Sequence, residues 1–229
     1  MSAFRFLLWD IDGTILDFLA SEKAALKALF LRYGFGECTD EMIGRYSAIN
    51  VRYWQALEKG EMSKPEILVG RFREFFEREG IDASKAEAFN ADYQIALGDT
   101  IVFRDECLPL LLEQKETHIL AAVTNGTRSA QKKKLARSGL DMVFDHIYIS
   151  EVVGFEKPNK GFFDHVIADL GISDPRQALV IGDSLTSDIT GAVNVGMASC
   201  WYNPYKKTND TSIKPDYEIT DLRELREIV

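Results

Sequence analysis

Two hydrophobic periodicities divide the chain. At the start, Phe4-Arg5-Phe6-Leu7-Leu8-Trp9 is an almost unbroken apolar run that stops at Asp10-Ile11-Asp12-Gly13-Thr14. The run has the length of a strand and is too short to span a membrane. Continuous rather than alternating hydrophobicity predicts a strand buried on both faces, as in a parallel sheet covered by helices. From there to about position 99 the spacing is helical. Ser21 is placed to cap a first helix through Ala24, Leu26, Leu29 and Phe30, closed by Gly34. Thr39 or Asp40 begins a second, with Met42, Ile43, Tyr46, Ile49, Tyr53, Trp54 and Leu57 on one face. Ser63-Lys64-Pro65-Glu66 joins a cap, a first-turn proline and an acid ahead of a third helix that stops at Gly80. A fourth runs from 84 to 97. Four helices in succession predict a small bundle.

From Ile101 onward, strands and helices alternate. Helices are expected over 108–116, 128–138, 159–170 and 186–195, and strands over 119–123, 144–149, 178–181, 198–202 and 217–219, with Asp221 capping a last helical turn. This alternation predicts an α/β fold with a doubly wound, parallel, Rossmann-like sheet. The core is assigned to 1–16 and 101–229, interrupted by a helical insert over 17–100.

Composition narrows the function. A hydrophobic content of 46% and a charged content of 28% over 229 residues suit one large or two small globular domains. The formal charge of -9 argues against binding a nucleic-acid polymer, but leaves room for a small anionic ligand bound by local charge. Cys38, Cys107 and Cys200 have neither metal-ligand spacing nor a disulfide framework, so a reducing, cytoplasmic setting is expected. The apolar start meets Asp10 without a small-residue cleavage site, so no signal peptide and no membrane partner is expected. His118, His146 and His165 have no ligand spacing and are read as structural.

Ligands of parallel sheets sit at the carboxyl ends of the strands. Three predicted strands end there in polar groups: Asp10 and Asp12, Thr124 and Asn125, and Asp183. Lys157, in Phe155-Glu156-Lys157-Pro158-Asn159, stands just before a helix. At period two, Asp10 and Asp12 point the same way, and paired carboxylates attract a hard cation such as Mg²⁺. Each of these residues also has a plain explanation. Asp-Gly makes turns, Thr124 ends a strand, Lys157 suits a solvated surface, and Asp188 suits a helix's first turn. Their joint order along the chain is what distinguishes them.

That order, Asp-x-Asp-Gly-Thr, strand-terminal Thr, Lys-Pro and Gly182-Asp183-Ser184 through Asp188, resembles the haloacid dehalogenase-like hydrolase superfamily over the whole chain. The helical insert looks like that family's type 1 cap. The resemblance implies Asp10 as nucleophile and Asp12 as general acid and base. It implies Thr124 and the amides near Asn125 and Gly126 as phosphate ligands, with Lys157 as the countercharge. For Mg²⁺ it implies Asp10, the main-chain carbonyl of Asp12, Asp183 and Asp188. Asp12 favours phosphate esters over haloacids, since an alkoxide leaving group needs a proton donor. Stretches such as Ala48-Ile49-Asn50 through Trp54, Gly70-Arg71-Phe72, Ile149 through Gly154, and Cys200-Trp201-Tyr202-Asn203 look like the housecleaning pyrimidine 5′-nucleotidase branch. The implied partner is a small phosphomonoester, a pyrimidine nucleoside 5′-monophosphate. The alternative is a phosphosugar or phosphoglycolate. Asn50, Trp54 and Arg71 are the cap's candidate substrate contacts. Trp54 or Phe72 would stack on a base, or else lie in the cap core. The cap is expected to hinge at Asp17-Phe18 and near Asp99-Thr100.

Overall fold

The structure, a computed structural model, describes residues 4–229. Residues 1–3 of the expected core segment 1–16 lie outside the described residues. Six strands, β1 (Phe6–Trp9), β2 (Ile119–Thr124), β3 (His146–Ile149), β4 (Ala178–Gly182), β5 (Ala198–Tyr202) and β6 (Tyr217–Ile219), form one sheet in the order β3-β2-β1-β4-β5-β6. Every pairing is parallel. The fold is therefore the doubly wound α/β sheet that the alternation predicts.

β1 lies at the centre and explains its own sequence. Leu7 and Trp9 enter one apolar cluster, with Leu110, Leu111, Leu222 and Leu225; Phe6 and Leu8 enter another, with Phe162, Phe163 and Val166. Both faces are covered, so no position of the strand can be polar. Trp9 pairs with Ala122 on one side and Ile181 on the other. Asp10, Thr124 and Asp183, just beyond or at the strand ends, therefore emerge on one edge.

Between β1 and β2 the chain makes four helices: α1 (Phe18–Tyr33), α2 (Asp40–Glu58), α3 (Lys64–Glu79) and α4 (Ala86–Ala96). They enclose a separate aromatic core in which Phe30, Tyr46, Phe72, Phe75, Phe76, Phe89 and Tyr93 interlock edge to face and in stacks. Thr39 caps α2, and Ser63 with Glu66 forms a capping box on α3. The first helix departs from expectation. Its cap is Asp17, whose Oδ1 accepts from the Ala20 amide, because Asp17 precedes the first helical residue. Ser21 lies inside the helix and instead donates to the Thr100 carbonyl at 2.9 Å. That bond, with Asp17 N–H to Val102 O (2.8 Å) and Arg104 N–H to Ile15 O (3.0 Å), ties together the two places where the chain enters and leaves the insert.

The remaining helices are α5 (Cys107–Lys115), α6 (Arg128–Ser138), α7 (Ser150–Val153), α8 (Lys160–Leu170) and α9 (Thr190–Val195). The helix expected over 186–195 is split. Leu185–Ile189 forms a π-helical turn before α9. Its wider winding lets Asp188 Oδ2 accept from the Ser184 amide at 3.2 Å while Asp188 Oδ1 faces Lys157. The last helical turn, Leu222–Glu227, is 3₁₀ and capped by Asp221. No helix among the described residues is long and apolar enough to cross a membrane.

Candidate active site

The edge formed by β1, β2 and β4 gathers residues from four distant parts of the chain. Carboxylate oxygens of Asp10, Asp183 and Asp188 lie within 4.8 Å of one another. Lys157, 1% exposed, reaches into this group from the loop before α8. Its Nζ donates to Asp10 Oδ1 at 2.8 Å, Asp188 Oδ1 at 2.6 Å and the Val123 carbonyl at 2.8 Å. Burial opposes the charge on Lys157, but Asp10 and Asp188 more than offset it and hold its pKa above the ordinary range. Burial pushes the Asp10 carboxyl well up, against the pull of Lys157 and with the repulsion of Asp188 and Asp183. Burial and Asp188 raise Asp183 to about 6.

The backbone is shaped for this crowding. Gly13 has φ 98°, and a Cβ there would fall 2.6 Å from Asp183 Oδ2. Gly126 likewise leaves no room, since a Cβ would stand 2.1 Å from Gln131 Nε2. Thr14 donates to Asp10 Oδ2 at 3.2 Å. Thr124 Oγ1 accepts from the Gly126 amide at 3.0 Å. The Asn125 side chain lines the cavity but is engaged by the protein. It donates to the Lys157 carbonyl and accepts from the Lys157 amide, both at 2.8 Å, and so holds the backbone of Lys157. Asp12 faces α6, where Gln131 Nε2 donates to its Oδ2 at 2.6 Å and Lys134 Nζ to its Oδ1. Neither α6 residue stands out in the polar run Gln131-Lys132-Lys133-Lys134, because only the fold reveals which lysine turns inward.

A cavity of about 400 Å³ opens over this edge, lined from below by Asp10, Asp12, Thr124, Lys157 and Asp183 and from above by Phe18, Asn50, Trp54 and Glu58. The family model for haloacid dehalogenase-like hydrolases matches residues 4–196, and so covers every motif that meets here. The chain belongs to the haloacid dehalogenase-like hydrolases. It is 34% identical to pyrimidine 5′-nucleotidase PynA of Streptococcus pneumoniae, over 97% of this chain and 93% of that one. It is 30% identical to pyrimidine 5′-nucleotidase YjjG of Escherichia coli, over 97% and 96%. Among solved structures, the magnesium-bound HAD-hydrolase YfnB of Bacillus subtilis, described as revealing interdomain movement, superposes with a TM-score of 0.91 at 36% identity, covering 98% of each chain.

In this hydrolase residues of the helical insert form the upper wall of the cavity, and its candidate residues separate. Trp54 lines the cavity. Phe72 does not: it is fully buried and stacked on Tyr46 in the insert's core. Arg71 is also absent from the wall. Its guanidinium is 1% exposed and donates to Asn50 Oδ1 at 2.6 Å and Asn90 Oδ1 at 3.2 Å. A cation buried between helices needs internal acceptors, and these hold Arg71 behind Asn50. Asn50 lies at the wall, but its Oδ1 is taken by Arg71 and its Nδ2 donates to Glu22 at 3.0 Å.

Glu58 carries no signal in the sequence, where an acid at a helix end reads as solvated. In the structure it accepts from Thr186 on the π-helical turn and lines the cavity beside the acidic group. Burial raises it to about 7, against the hydrogen bond from Thr186. Lys64, donating to Ser150 Oγ at 2.7 Å, and Gln94, accepting from Thr127 Oγ1 at 2.9 Å, are further polar contacts by which the insert rests on the core.

Glu22 yields a pH prediction. It is 1% exposed, and burial raises it to about 7 despite hydrogen bonds from Ser47 and Asn50 and the nearby Arg71. A carboxyl raised above its unfolded value favours folding most below the unfolded pKa, and that advantage is lost as pH rises through the folded value. The insert should therefore lose roughly 3 kcal/mol between about pH 4.5 and 7 from this group alone. Denaturant melts of Glu22→Gln across that interval should lack this slope, whereas an unchanged slope would assign it elsewhere.

Proposed function

We propose that this chain is a Mg²⁺-dependent phosphomonoester hydrolase that works through an aspartyl-phosphate on Asp10 and takes pyrimidine nucleoside 5′-monophosphates. The observation that carries the reading is a charge balance. Three carboxylates, Asp10, Asp183 and Asp188, face one ammonium, Lys157, leaving two negative charges in a buried site. The donors are all oxygens, as a hard divalent cation requires. These residues therefore fit Mg²⁺, with the Asp12 carbonyl as the remaining candidate ligand. When bound, the ion would neutralise phosphate charge and hold the phosphoryl group in line with Asp10.

The chain's own residues perform the transfer. Lys157 holds Asp10 by Oδ1 and Thr14 orients Oδ2 through a longer hydrogen bond, so Oδ2 is the oxygen that attacks phosphorus. The Asp10–phosphorus bond forms as the ester oxygen leaves, and Asp12 gives that oxygen its proton. Asp12 then takes a proton from the water that attacks the aspartyl-phosphate. Phosphate departs and Asp10 is restored. Gln131 and Lys134 hold Asp12 in place through both steps. The Thr124 hydroxyl hydrogen and the Asn125 amide stand at the end of β2 where phosphate oxygens need donors, while the Gly126 amide donates to Thr124 Oγ1 and so orients that hydroxyl. The insert acts as the cap that shuts out water, turning about the hydrogen-bonded crossings at Asp17 and Thr100.

The nucleotidase reading draws support from PynA and YjjG, which match along almost the whole chain, and from Trp54, an aromatic face in the cavity wall. Chelation tests the hydrolase. Phosphate release from uridine 5′-monophosphate and from p-nitrophenyl phosphate should fall at least about a hundredfold in excess chelator and return with Mg²⁺. Turnover indifferent to chelator would sink the metal-dependent reading.

A further inference from the structure

We propose that the turn following β5, residues 204–211, reads the leaving group, with the Lys207 ammonium and the Asp210 carboxylate contacting the polar edge of a pyrimidine base. The proposal rests on the hydrolase reading above and adds which residues select the ester. Its starting point is the stretch Cys200-Trp201-Tyr202-Asn203, whose role the catalytic set leaves unexplained.

Trp201 donates from Nε1 to the Asp183 carbonyl at 3.0 Å and itself lines the cavity, so the end of β5 is fastened to the acidic edge. Asn203, 2% exposed, then fixes the turn. Its Oδ1 accepts from the Lys207 amide at 2.8 Å, and its Nδ2 donates to the Lys207 carbonyl at 2.9 Å and to Glu218 at 2.8 Å. Two hydrogen bonds from one buried amide to the backbone of one residue determine where that residue's side chain starts. Asn209 does the same for the next turn, accepting from the Thr211 amide and hydroxyl at 3.0 and 2.7 Å. The result is an exposed segment with a fixed backbone whose Lys207, Thr208, Asp210 and Thr211 form one wall of the cavity. Lys207 stands within electrostatic reach of Asp183.

The facing wall offers Gln55 and Glu58 besides the ring of Trp54, and Glu58 is engaged by Thr186. Both ends of the Asn50 amide are engaged inside the cap, and Arg71 lies behind it. The walls differ in kind: the cap presents the ring face of Trp54, and the turn presents an ammonium and a carboxylate side by side. An ammonium only donates and a carboxylate only accepts. Together they match a carbonyl oxygen beside a ring N–H, as on the edge of a uracil-type base. Because the turn belongs to the core, its reading survives opening of the cap.

The test compares kcat/KM for uridine 5′-monophosphate with that for p-nitrophenyl phosphate, which lacks the polar edge, in the full-length Mg²⁺-loaded protein. Lys207→Ala and Asp210→Ala should each lower the nucleotide value at least about tenfold more than the aryl phosphate value, mainly through KM. Lys207→Arg should recover much of the loss. Lys214→Gln, a charge removed just beyond the turn, should match wild type on both esters. Equal losses on both esters would place Lys207 at the phosphate instead and overturn the proposal, as would no loss on either. A wild-type protein that hydrolyses the aryl phosphate but prefers a phosphosugar to the nucleotide would defeat the base assignment and leave the hydrolase standing. A wild-type protein that cleaves no ester would defeat both.

Discussion

Asp10→Asn should lower phosphate release by roughly a thousandfold or more while the protein stays folded. The substitution preserves shape and removes only the nucleophilic charge. Lys157 keeps Asp188 at 2.6 Å and the Val123 carbonyl at 2.8 Å, so its ammonium remains satisfied. The site also loses one of the three negative charges whose mutual repulsion helps raise Asp10 and Asp183. Metal-free Asp10→Asn should therefore melt no lower than the metal-free wild type. Acid-quenched samples of the wild type should hold covalent phosphate during turnover, and those of the variant none. A variant that releases phosphate at the wild-type rate would show that some other group attacks phosphorus.

The strand-end motifs that announced this site share one physical property: each closes a strand whose neighbours cover both faces. β1 and β4 must be apolar throughout, so a carboxylate at their end is a visible break in pattern. Parallel pairing then brings those breaks to one edge without further information. Asp10, Thr124 and Asp183 were legible for that reason. Lys157 and Asp188, on a loop and a helical turn, were legible only through the order of the motifs, and the polar residues of α6 and the end of α2 were not legible at all. Gln131 and Lys134 sit in a polar run where every residue looks solvated, and only the fold turns both of them toward Asp12. Glu58 ends a helix, as many solvated acids do, and becomes a cavity residue only because α2 lies over the π-helical turn. The same loss of information works in reverse for Arg71 and Phe72. Their sequence neighbourhood suggests a binding surface, yet both serve the interior of the insert. An aromatic or cationic residue on a helix carries no mark of which neighbour it faces. The four helices of the insert meet in a shared aromatic core, and Phe72 belongs to it.

The second large effect is on stability rather than rate. Lys157→Met should destabilise the metal-free protein by about 3–5 kcal/mol, the usual cost of stripping the partner from a buried charge. Lys157 is the cation that touches both Asp10 and Asp188, at 1% exposure, and a thioether offers those carboxylates nothing. Arginine would not substitute, since a planar fork cannot take the place of a compact ammonium between two carboxylates and a carbonyl. The loss should be partly reversed in the double variant Lys157→Met with Asp188→Asn, because the second change removes one of the charges left stranded. Denaturant unfolding of the metal-free single and double variants measures this coupling. A single variant less than about 1 kcal/mol below wild type, at a pH well above the raised carboxyl values, would mean that the carboxylates find their countercharge elsewhere. The charge balance on which the hydrolase reading stands would then fail with it.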